Sequence, residues 1–333
     1  MGVDRRDGTN TARAFWIVGL GRGELRTETL PPMPTDGALL RARASAISRG
    51  TEALVLAGRV PESERMRMRC PFQAGEFPWP VKYGYASVGV VEAGPSALRG
   101  RRAFCLHPHQ DRYVVPAGAI VPLPDAVSDE RATLAANMET ALNGLWDAPA
   151  MRRGMRVAVL GAGLVGFFVA WLVSRAYDAR LEIIDRDPAR AELARRFGLE
   201  ARAPEKATRG ADLVFHASGH PDGLVLALEL AAFEATIVEL SWYGDRPVSL
   251  PLGGAFHSQR LTLKSSQVGA VAPAMREKRS RAERLAEALA LLADPRFDTL
   301  IGERVRFEDL PAAMARIPGA TVTPPGIIVT YRE

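Results

Sequence analysis

The sequence predicts an α/β protein in which a doubly wound parallel sheet is joined to a β-rich region. Between residues 137 and 268, short apolar runs alternate with helical patterns, which favours parallel strands covered by helices. Between residues 14 and 136, apolar runs recur between turns that contain glycine and proline, which is typical of antiparallel strands. The length of 333 residues suits two domains, each large enough to bury its own core.

The β-rich region opens on an apolar run at residues 15–18 that is followed by Gly19, Gly21 and Gly23. Such glycines indicate a dinucleotide site only where a helix follows them. Here residues 24–29 are polar and two prolines come next, so we predict a hairpin. Ser128, followed by two acids, predicts the start of a helix that runs to Ala136. The other predicted strands of this region are residues 39–46, 87–92, 102–106, 113–115 and 120–121.

The alternating region and the C-terminal part differ in pattern. The alternation predicts helices at 164–176, 188–197 and 223–232, and strands at 157–160, 181–185, 213–217, 236–240 and 261–265. After residue 268 come an amphipathic helix at 281–292, a short helix after Asp309 and a strand at 327–329. These last elements do not continue the alternation, so we expect the chain to return to the first domain.

The most specific motif is a glycine-rich turn between the strand at 157–160 and the helix at 164–176. Gly161 allows a tight turn, Gly163 lets the backbone approach a pyrophosphate at the helix N-terminus, and Gly166 lets the helix pack closely on the strand. We therefore predict a dinucleotide site; the alternative is a tight turn in a sheet that binds no ligand. The predicted contacts of this turn are Gly161, Gly163, Leu164, Val165 and Gly166.

Asp185 lies 19 residues after Gly166, about where an acid hydrogen-bonds the ribose hydroxyls of the adenosine. A carboxylate there repels a 2′-phosphate, so the sequence favours NAD over NADP as the cofactor. Arg186 and Arg190 keep NADP as the alternative, because an arginine can bind that phosphate.

Composition excludes several classes of protein. The two cysteines, Cys70 and Cys105, cannot form a disulfide framework or a four-cysteine zinc site. No apolar run reaches the roughly 18 residues of a membrane span. Residues 1–13 are polar, lack the apolar core of a signal peptide and are expected to be disordered, so we expect a cytoplasmic protein without a membrane partner. The net charge is +5, but the basic runs lack interleaved aromatic residues, so no nucleic-acid partner is predicted.

Four further motifs stand beside the glycine-rich turn: Ile-Ser-Arg-Gly-Thr-Glu at 47–52, Tyr-Gly-Tyr-Ala-Ser-Val-Gly-Val-Val at 83–91, Asp-Arg-Asp-Pro-Ala-Arg at 185–190, and Phe-His-Ser-Gln-Arg-Leu-Thr-Leu at 256–263. With this domain order, the chain resembles the medium-chain dehydrogenase/reductase superfamily over residues 14–333. It is most similar to a zinc-free branch near the hydroxyethyl-bacteriochlorophyllide dehydrogenases. The resemblance implies a GroES-like catalytic domain at 14–136, a Rossmann NAD-binding domain at 137–268 and a return to the catalytic domain at 269–333.

Zinc-dependent members of this superfamily hold their catalytic zinc with Cys, His and a third Cys or Glu. At the matching positions this chain has Ser48 or Arg49, depending on a one-residue choice of alignment, then Tyr85 and Ala136. The four-cysteine loop that holds the family's structural zinc is absent as well. Because a catalytic zinc needs three protein ligands, we predict that no zinc and no other metal is bound.

His107 and His109 are the remaining candidates for a metal ligand or a catalytic group. The favoured interpretation is that both lie in a surface loop. A single histidine that contacts the substrate is the next alternative. Metal binding is the least favoured, because no third ligand lies nearby in sequence.

Without a metal, the charge that develops on a carbonyl oxygen needs a hydrogen-bond donor or a general acid. The resemblance aims the phenol of Tyr85 at the former metal cavity, and we predict that it donates the proton. Thr51 matches a hydroxyl residue that relays protons in the family, Arg49 supplies positive charge, and His107 lies in a stretch that lines the pocket in relatives. The alternative is that Tyr85 only fills the space of the metal.

The resemblance also places Thr140, Ser218 and Ser241 along the cofactor and implies a homodimer joined through the strand at 261–265. The predicted function is zinc-independent, NAD(P)-dependent hydride transfer between the nicotinamide and a small carbonyl or alcohol substrate. Two alternatives stay open: an enoyl or quinone reductase, and a catalytically silent protein that binds a dinucleotide.

Overall fold

Three β-sheets organise the chain in the computed structural model, which describes residues 10–317 and 322–332. Within these residues no helix is long and apolar enough to cross a lipid bilayer. The strands are β1 (Thr11–Gly19), β2 (Arg22–Thr29), β3 (Gly37–Ala46), β4 (Ala74–Gly75), β5 (Val81–Lys82), β6 (Ser87–Ala93), β7 (Arg102–Cys105), β8 (Arg112–Pro116), β9 (Ile120–Pro122), β10 (Arg156–Leu160), β11 (Arg180–Ile184), β12 (Glu200–Arg202), β13 (Ala211–His216), β14 (Ala231–Glu239), β15 (Thr262–Ser265), β16 (Ile301–Arg306) and β17 (Gly326–Thr330). The α-helices are α1 (Arg49–Leu56), α2 (Asp129–Ala132), α3 (Ala135–Asp147), α4 (Leu164–Ala176), α5 (Pro188–Arg196), α6 (Pro221–Leu230), α7 (Arg281–Leu291) and α8 (Leu310–Arg316).

The six-stranded sheet is parallel throughout and has the order β12-β11-β10-β13-β14-β15. Helices α4, α5 and α6 follow β10, β11 and β13 along the chain, so the predicted doubly wound sheet is confirmed. The strand order reverses between β10 and β13, and ligands of such sheets bind beyond the carboxyl ends of the strands at this point. Strand β12 is not among the predicted strands, because its three residues are polar or small.

The larger sheet of the β-rich region has the order β16-β17-β3-β6-β7-β9, and β8 also pairs with β3. Strand β17 runs antiparallel to β3, with Val329 opposite Ser45. This C-terminal strand therefore lies in the same sheet as β3, while the predicted domain boundaries stay a prediction. Strand β16 is missing from the prediction, because only Ile301 and Val305 of its six residues are buried.

The N-terminal glycines form the predicted hairpin: β1 pairs antiparallel with β2, and Phe15 lies opposite Leu25. The expectation of a disordered N-terminus is wrong for residues 11–13, because β1 begins at Thr11 and pairs with β2 from that residue onward. The rest of that segment, residues 1–9, lies outside the described residues.

The single helix predicted from Ser128 to Ala136 is wrong, since two helices stand in its place. The start is as predicted, because Ser128 Oγ accepts a hydrogen bond from the Arg131 amide at 3.2 Å. Helix α2 then ends at Ala132, and α3 begins at Ala135 and continues across the predicted domain boundary. Helix α3 packs against both α4 and α7.

Arg284 on α7 is fully buried and forms hydrogen bonds with both α3 and the loop that follows β15. Its Nε donates to Glu139 Oε1 at 3.0 Å, and its Nη1 donates to the Ala270 carbonyl at 3.2 Å. Desolvation raises the pKa of Glu139, and the charge of Arg284 opposes that shift. The ion pair therefore fixes residues 266–271 beside the carboxyl end of the parallel sheet.

Candidate cofactor cleft and active site

The glycine-rich turn has the geometry that its three glycines predict. Gly161 has φ +100°, and a Cβ there would lie 2.7 Å from Ser218 Cα. A Cβ on Gly166 would collide with the Gly161 carbonyl oxygen. At Gly163, the N-cap of α4, nothing lies within 4 Å of an added Cβ. The turn is therefore closely packed on the protein side and open at the helix N-terminus, where an anionic pyrophosphate is stabilised.

Asp185 directly follows β11, and its carboxylate is directed toward the glycine-rich turn. Its Oδ2 accepts a hydrogen bond from the Ala162 amide at 2.7 Å, and its Oδ1 accepts one from the Asp187 amide at 2.8 Å. The guanidinium of Arg190 lies 3.7 Å from Oδ2, whereas Arg186 is exposed. The cation beside this carboxylate is therefore Arg190.

Arg49 is the first residue of α1. Burial lowers the pKa of its guanidinium, and the positive charge of Arg190 lowers it further. The structure therefore places the charge of Arg49 close to Arg190, at the adenosine end of the predicted cofactor site.

Tyr85 and two hydroxyl residues of the α1 segment form one cluster. The Tyr85 hydroxyl donates a hydrogen bond to Ser48 Oγ at 2.6 Å. Burial raises the pKa of Tyr85 to about 12, and hydrogen bonds with Ser48 and Thr51 oppose that shift. The phenol is thus protonated at neutral pH. Of the two alignments left open by the sequence, this contact favours Ser48 as the residue in the place of the cysteine.

A buried chain of hydrogen bonds lies behind this cluster. Glu52 Oε1 accepts from the Ser48 amide at 2.7 Å, and Glu52 Oε2 lies 3.0 Å from His109 Nε2. His109 Nδ1 lies 2.7 Å from Ser45 Oγ, which is 2.9 Å from the Tyr331 hydroxyl. Glu52 and His109 are each 1% exposed. The chain therefore links α1 to β3 and to the residue that follows β17.

The interpretation of His107 and His109 as surface residues is wrong, because both are buried. The ring of His107 stacks on Tyr113 at a centroid distance of 3.9 Å, and its Nδ1 lies 2.9 Å from the Pro108 carbonyl oxygen. Desolvation lowers the pKa of His107 to about 3, so the ring is neutral at physiological pH. Within residues 10–317 and 322–332, no hydrogen bond or ring contact joins His107 to Tyr85.

The donors around Tyr85 do not fit a zinc ion. Zinc in proteins is bound by cysteine, histidine or carboxylate ligands, whereas Ser48 and Thr51 offer hydroxyls. Glu52 and His109 are already hydrogen-bonded to each other. Within residues 10–317 and 322–332, no group of three or more His, Cys, Asp or Glu residues is arranged to hold a metal. The absence of a metal from the active protein stays a prediction.

The predicted cofactor residues beyond the turn occupy two places. Ser218 follows β13 and Ser241 follows β14, and the Ser241 hydroxyl accepts a hydrogen bond from the Gly219 amide at 3.1 Å. Thr140 lies on α3, where its hydroxyl donates to the Ala136 carbonyl at 2.9 Å. Ser218 and Ser241 thus share the carboxyl edge of the parallel sheet, on the other side of β10 from Asp185.

Sequence reasoning missed three residues of these two regions, Glu52, His216 and Glu239, and placed a fourth, His109, on the surface. His216 ends β13 and is fully buried, and its Nδ1 lies 2.8 Å from Glu239 Oε2 at the end of the neighbouring β14. The available signal was a polar residue at the carboxyl end of each strand, directly after a short apolar run.

The loop that follows β14 joins the two halves of the cleft. Asp245 accepts a hydrogen bond from Arg59 Nε at 2.7 Å, and its amide donates to the Arg59 carbonyl at 3.0 Å. Trp242 packs against the apolar cluster of the first domain that contains Phe15 and Val55. The loop that follows Ser241 therefore contacts the chain just after α1, the helix that carries Thr51.

Comparison by sequence finds partial relatives, and no family model matches the chain. It is 31% identical over 117 residues to an L-threonine 3-dehydrogenase of Rhizobium johnstonii, which is 35% of this chain and 33% of that relative. A second L-threonine 3-dehydrogenase, from Rhizobium etli, is 30% identical over the same length. The chain thus matches about a third of the length of these curated relatives.

Comparison by structure covers nearly the whole chain. L-idonate 5-dehydrogenase of Escherichia coli superposes with a TM-score of 0.78 at 15% identity, over 96% of this chain and 98% of that one. A zinc-binding dehydrogenase of Sinorhizobium meliloti, bound to NADP, gives 0.75 at 18% identity, over 96% and 99%. An alcohol dehydrogenase of Escherichia coli, in complex with NADH, gives 0.75 at 16% identity, also over 96% and 99%. This chain has the two-domain fold of these dehydrogenases.

We expect His109→Leu to lower the free energy of unfolding by about 3 kcal/mol, because it leaves the buried Glu52 carboxylate without its partner. Urea denaturation measures the change. His257→Leu is the matched control, since His257 is exposed, and a change within about 0.5 kcal/mol is expected there. The double variant Glu52→Gln/His109→Leu is expected to regain part of the loss. Equal stability of His109→Leu and the unchanged protein would contradict the role given to this pair.

Proposed function

We propose that this chain is a zinc-independent, NAD(P)-dependent oxidoreductase that transfers hydride between the nicotinamide and a small carbonyl or alcohol substrate. The observation that carries the proposal is a protonated phenol, Tyr85, hydrogen-bonded to Ser48 at the N-terminus of α1, the helix that leads to Arg59 and its contact with the loop after β14. The fold shared with NADH- and NADP-bound dehydrogenases supports it. The partial relatives named L-threonine 3-dehydrogenase support an alcohol as the reduced form of the substrate.

Residues of the parallel sheet hold the cofactor in this proposal. The open N-terminus of α4 at Gly163 binds the pyrophosphate, and Asp185 accepts hydrogen bonds from the adenosine ribose. Ser218 and Ser241 lie on the other half of the edge and contact the nicotinamide end. When bound, the nicotinamide supplies or accepts the hydride, and the protein supplies orientation and electrostatics.

In this proposal, the residues around Tyr85 form the hydrogen bond to the substrate oxygen and supply its proton. In the arrangement seen here the phenol donates to Ser48, so a substrate oxygen has to replace Ser48 as the acceptor. An alkoxide is a stronger base than a phenolate whose conjugate acid has a pKa of about 12, so proton transfer from Tyr85 to the product alkoxide is favourable. Glu52 accepts a hydrogen bond from the Ser48 amide and thereby fixes the position of Ser48 in the cluster.

We expect Tyr85→Phe to lower kcat by about 100-fold or more with little change in KM, because it removes the donor that stabilises the oxyanion. Steady-state kinetics with NADH and a panel of ketones and aldehydes measures this. Tyr177→Phe removes a hydroxyl from an exposed tyrosine and is expected to keep full activity.

Full turnover by Tyr85→Phe would show that the tyrosine only fills space. Reduction of enones or quinones in preference to ketones would favour the alternative reductase chemistry. NADH binding without turnover of any of these compounds would favour a silent dinucleotide-binding protein.

We expect NADH to bind about tenfold more tightly than NADPH, because the Asp185 carboxylate accepts ribose hydroxyls and repels a 2′-phosphate. Fluorescence titration of both cofactors measures the ratio. Asp185→Ser is expected to reduce it, since Arg190 then lies beside the phosphate without the competing carboxylate. Asp178→Ser, at an exposed acid, is the control. Tighter binding of NADPH by the unchanged protein would overturn the assignment.

A homodimer and a cytoplasmic location belong to the same proposal. Strand β15 ends the parallel sheet, and within the described residues its outer edge pairs with no other strand. Its side chains are exposed or half-buried, and an exposed edge strand is a ready template for pairing with a second copy. We expect sedimentation analysis to give the mass of two chains; a monomer at micromolar concentration would contradict the dimer.

A further inference from the structure

Four polar side chains form a hydrogen-bonded chain at the carboxyl ends of β13 and β14. Ser218 Oγ lies 2.6 Å from His216 Nε2, and His216 Nδ1 lies 2.8 Å from Glu239 Oε2. The Tyr243 hydroxyl donates to Glu239 Oε2 at 3.1 Å, and the Ser241 amide donates to Glu239 Oε1 at 2.6 Å. His216 is fully buried, whereas Ser218 is exposed at the cleft. This series of hydrogen bonds therefore runs from the interior of the domain to the cofactor edge.

The partners of Glu239 set the direction of its hydrogen bond with His216. Because Glu239 accepts from an amide and a hydroxyl, its oxygens act as acceptors, and the remaining partner, His216 Nδ1, has to be the donor. A neutral imidazole with its proton on Nδ1 has an acceptor at Nε2. When His216 is in this neutral form, the Ser218 hydroxyl donates to its Nε2. Its oxygen is left as an acceptor, which already receives the His220 amide at 3.2 Å and has one further lone pair.

Gly161 and Gly223 pack closely against Ser218 beside the glycine-rich turn. A Cβ on Gly161 would lie 2.7 Å from Ser218 Cα, so the serine backbone touches the glycine-rich turn. A Cβ on Gly223 would collide with Ser218 Oγ and would lie 2.7 Å from His216 Nε2. Asp185 lies on one side of β10 and Ser218 on the other. A dinucleotide whose adenosine ribose is held by Asp185 therefore extends its nicotinamide half toward Ser218.

We propose that Ser218 is an acceptor for a hydroxyl group bound on the nicotinamide half of the cleft, and that His216 and Glu239 are positioning residues that fix its direction. This rests on the proposed function for the identity of the ligand. The hydroxyl belongs either to the nicotinamide ribose or to an alcohol substrate, since both present an O–H donor at that edge. A ligand with only acceptor atoms is not recognised there.

The donor and acceptor roles in this series of hydrogen bonds are tested first on the ligand-free protein. Nitrogen-15 NMR of the imidazoles is expected to show the His216 proton on Nδ1. In Glu239→Gln the carboxamide oxygen has to face the Ser241 amide, so its NH2 group faces Nδ1 and the His216 proton moves to Nε2. Glu234→Gln is the matched control, on the same strand but exposed and paired with Arg260, and is expected to leave the tautomer unchanged.

Ligand binding is tested with NADH and with the alcohol that the chain oxidises fastest. Ser218→Ala is expected to raise the Kd of NADH about five- to tenfold, the effect of one lost hydrogen bond, and Ser218→Thr to restore it. That result assigns the hydroxyl to the ribose. An unchanged Kd with a similar rise in KM for the alcohol assigns it to the substrate, and both results support the proposal.

Two results overturn the proposal: a His216 proton on Nε2 in the unchanged protein, and Ser218→Ala binding NADH and alcohol as the unchanged protein does. Failure of the proposed function is distinguishable from either. A protein that binds NADH but turns over no carbonyl or alcohol lacks the proposed activity. The His216 tautomer and the effect of Ser218→Ala on NADH affinity still test the role of Ser218.

Discussion

The close contact between the glycine-rich turn and the end of β13 is the constraint on which the site depends. Gly161 lies against the Ser218 backbone, and Gly166 lies against the Gly161 carbonyl, with no room for a side chain at either position. This packing aims the N-terminus of α4 at the cleft. It also brings the Ala162 amide within 2.7 Å of Asp185, so the turn and the carboxylate that we propose to bind the ribose are positioned together. A larger residue at either glycine would displace both halves of the cofactor site at once.

Around Tyr85, hydrogen bonds join separate segments of the chain, and in the zinc-independent site that we propose they take the place of metal coordination. A metal joins its ligands from separate segments at one point. Here Glu52 on α1, His109, Ser45 on β3 and Tyr331 after β17 are joined by a continuous series of contacts. Removing a carboxylate and an imidazole from water is costly unless both are fully hydrogen-bonded, and each of these groups has two partners. The C-terminal return thus contributes to the site as well as to the fold.

The fold could be predicted where its signals are local. Strand β10, the glycine turn, α4 and Asp185 follow one another within 30 residues, and each has a residue-level cause. Strands β12 and β16 could not be predicted, because β12 has no buried residue and β16 has only two, so neither shows the apolar pattern of a strand. The partners Glu52 and His109 are 57 residues apart, and His216 and Glu239 are 23 apart. Only the packing of the sheets shows that these histidines are buried beside carboxylates, so sequence reasoning placed His109 on the surface and overlooked His216.

The two histidine–glutamate pairs have the same chemistry, but the serine beside one pair is buried and the serine beside the other is exposed. In each pair one imidazole nitrogen faces the carboxylate and the other faces a serine hydroxyl: Ser45 beside His109 and Ser218 beside His216. The serine of the first pair is buried and meets Tyr331, so its hydrogen bonds are completed within the protein. The serine of the second pair is exposed at the cofactor edge with a free acceptor site. The same device therefore stabilises the structure around Tyr85 and, across the cleft, presents an acceptor to a ligand. A protonated phenol on one side and a serine acceptor on the other give the cleft a fixed polarity that a hydroxyl-bearing ligand has to match.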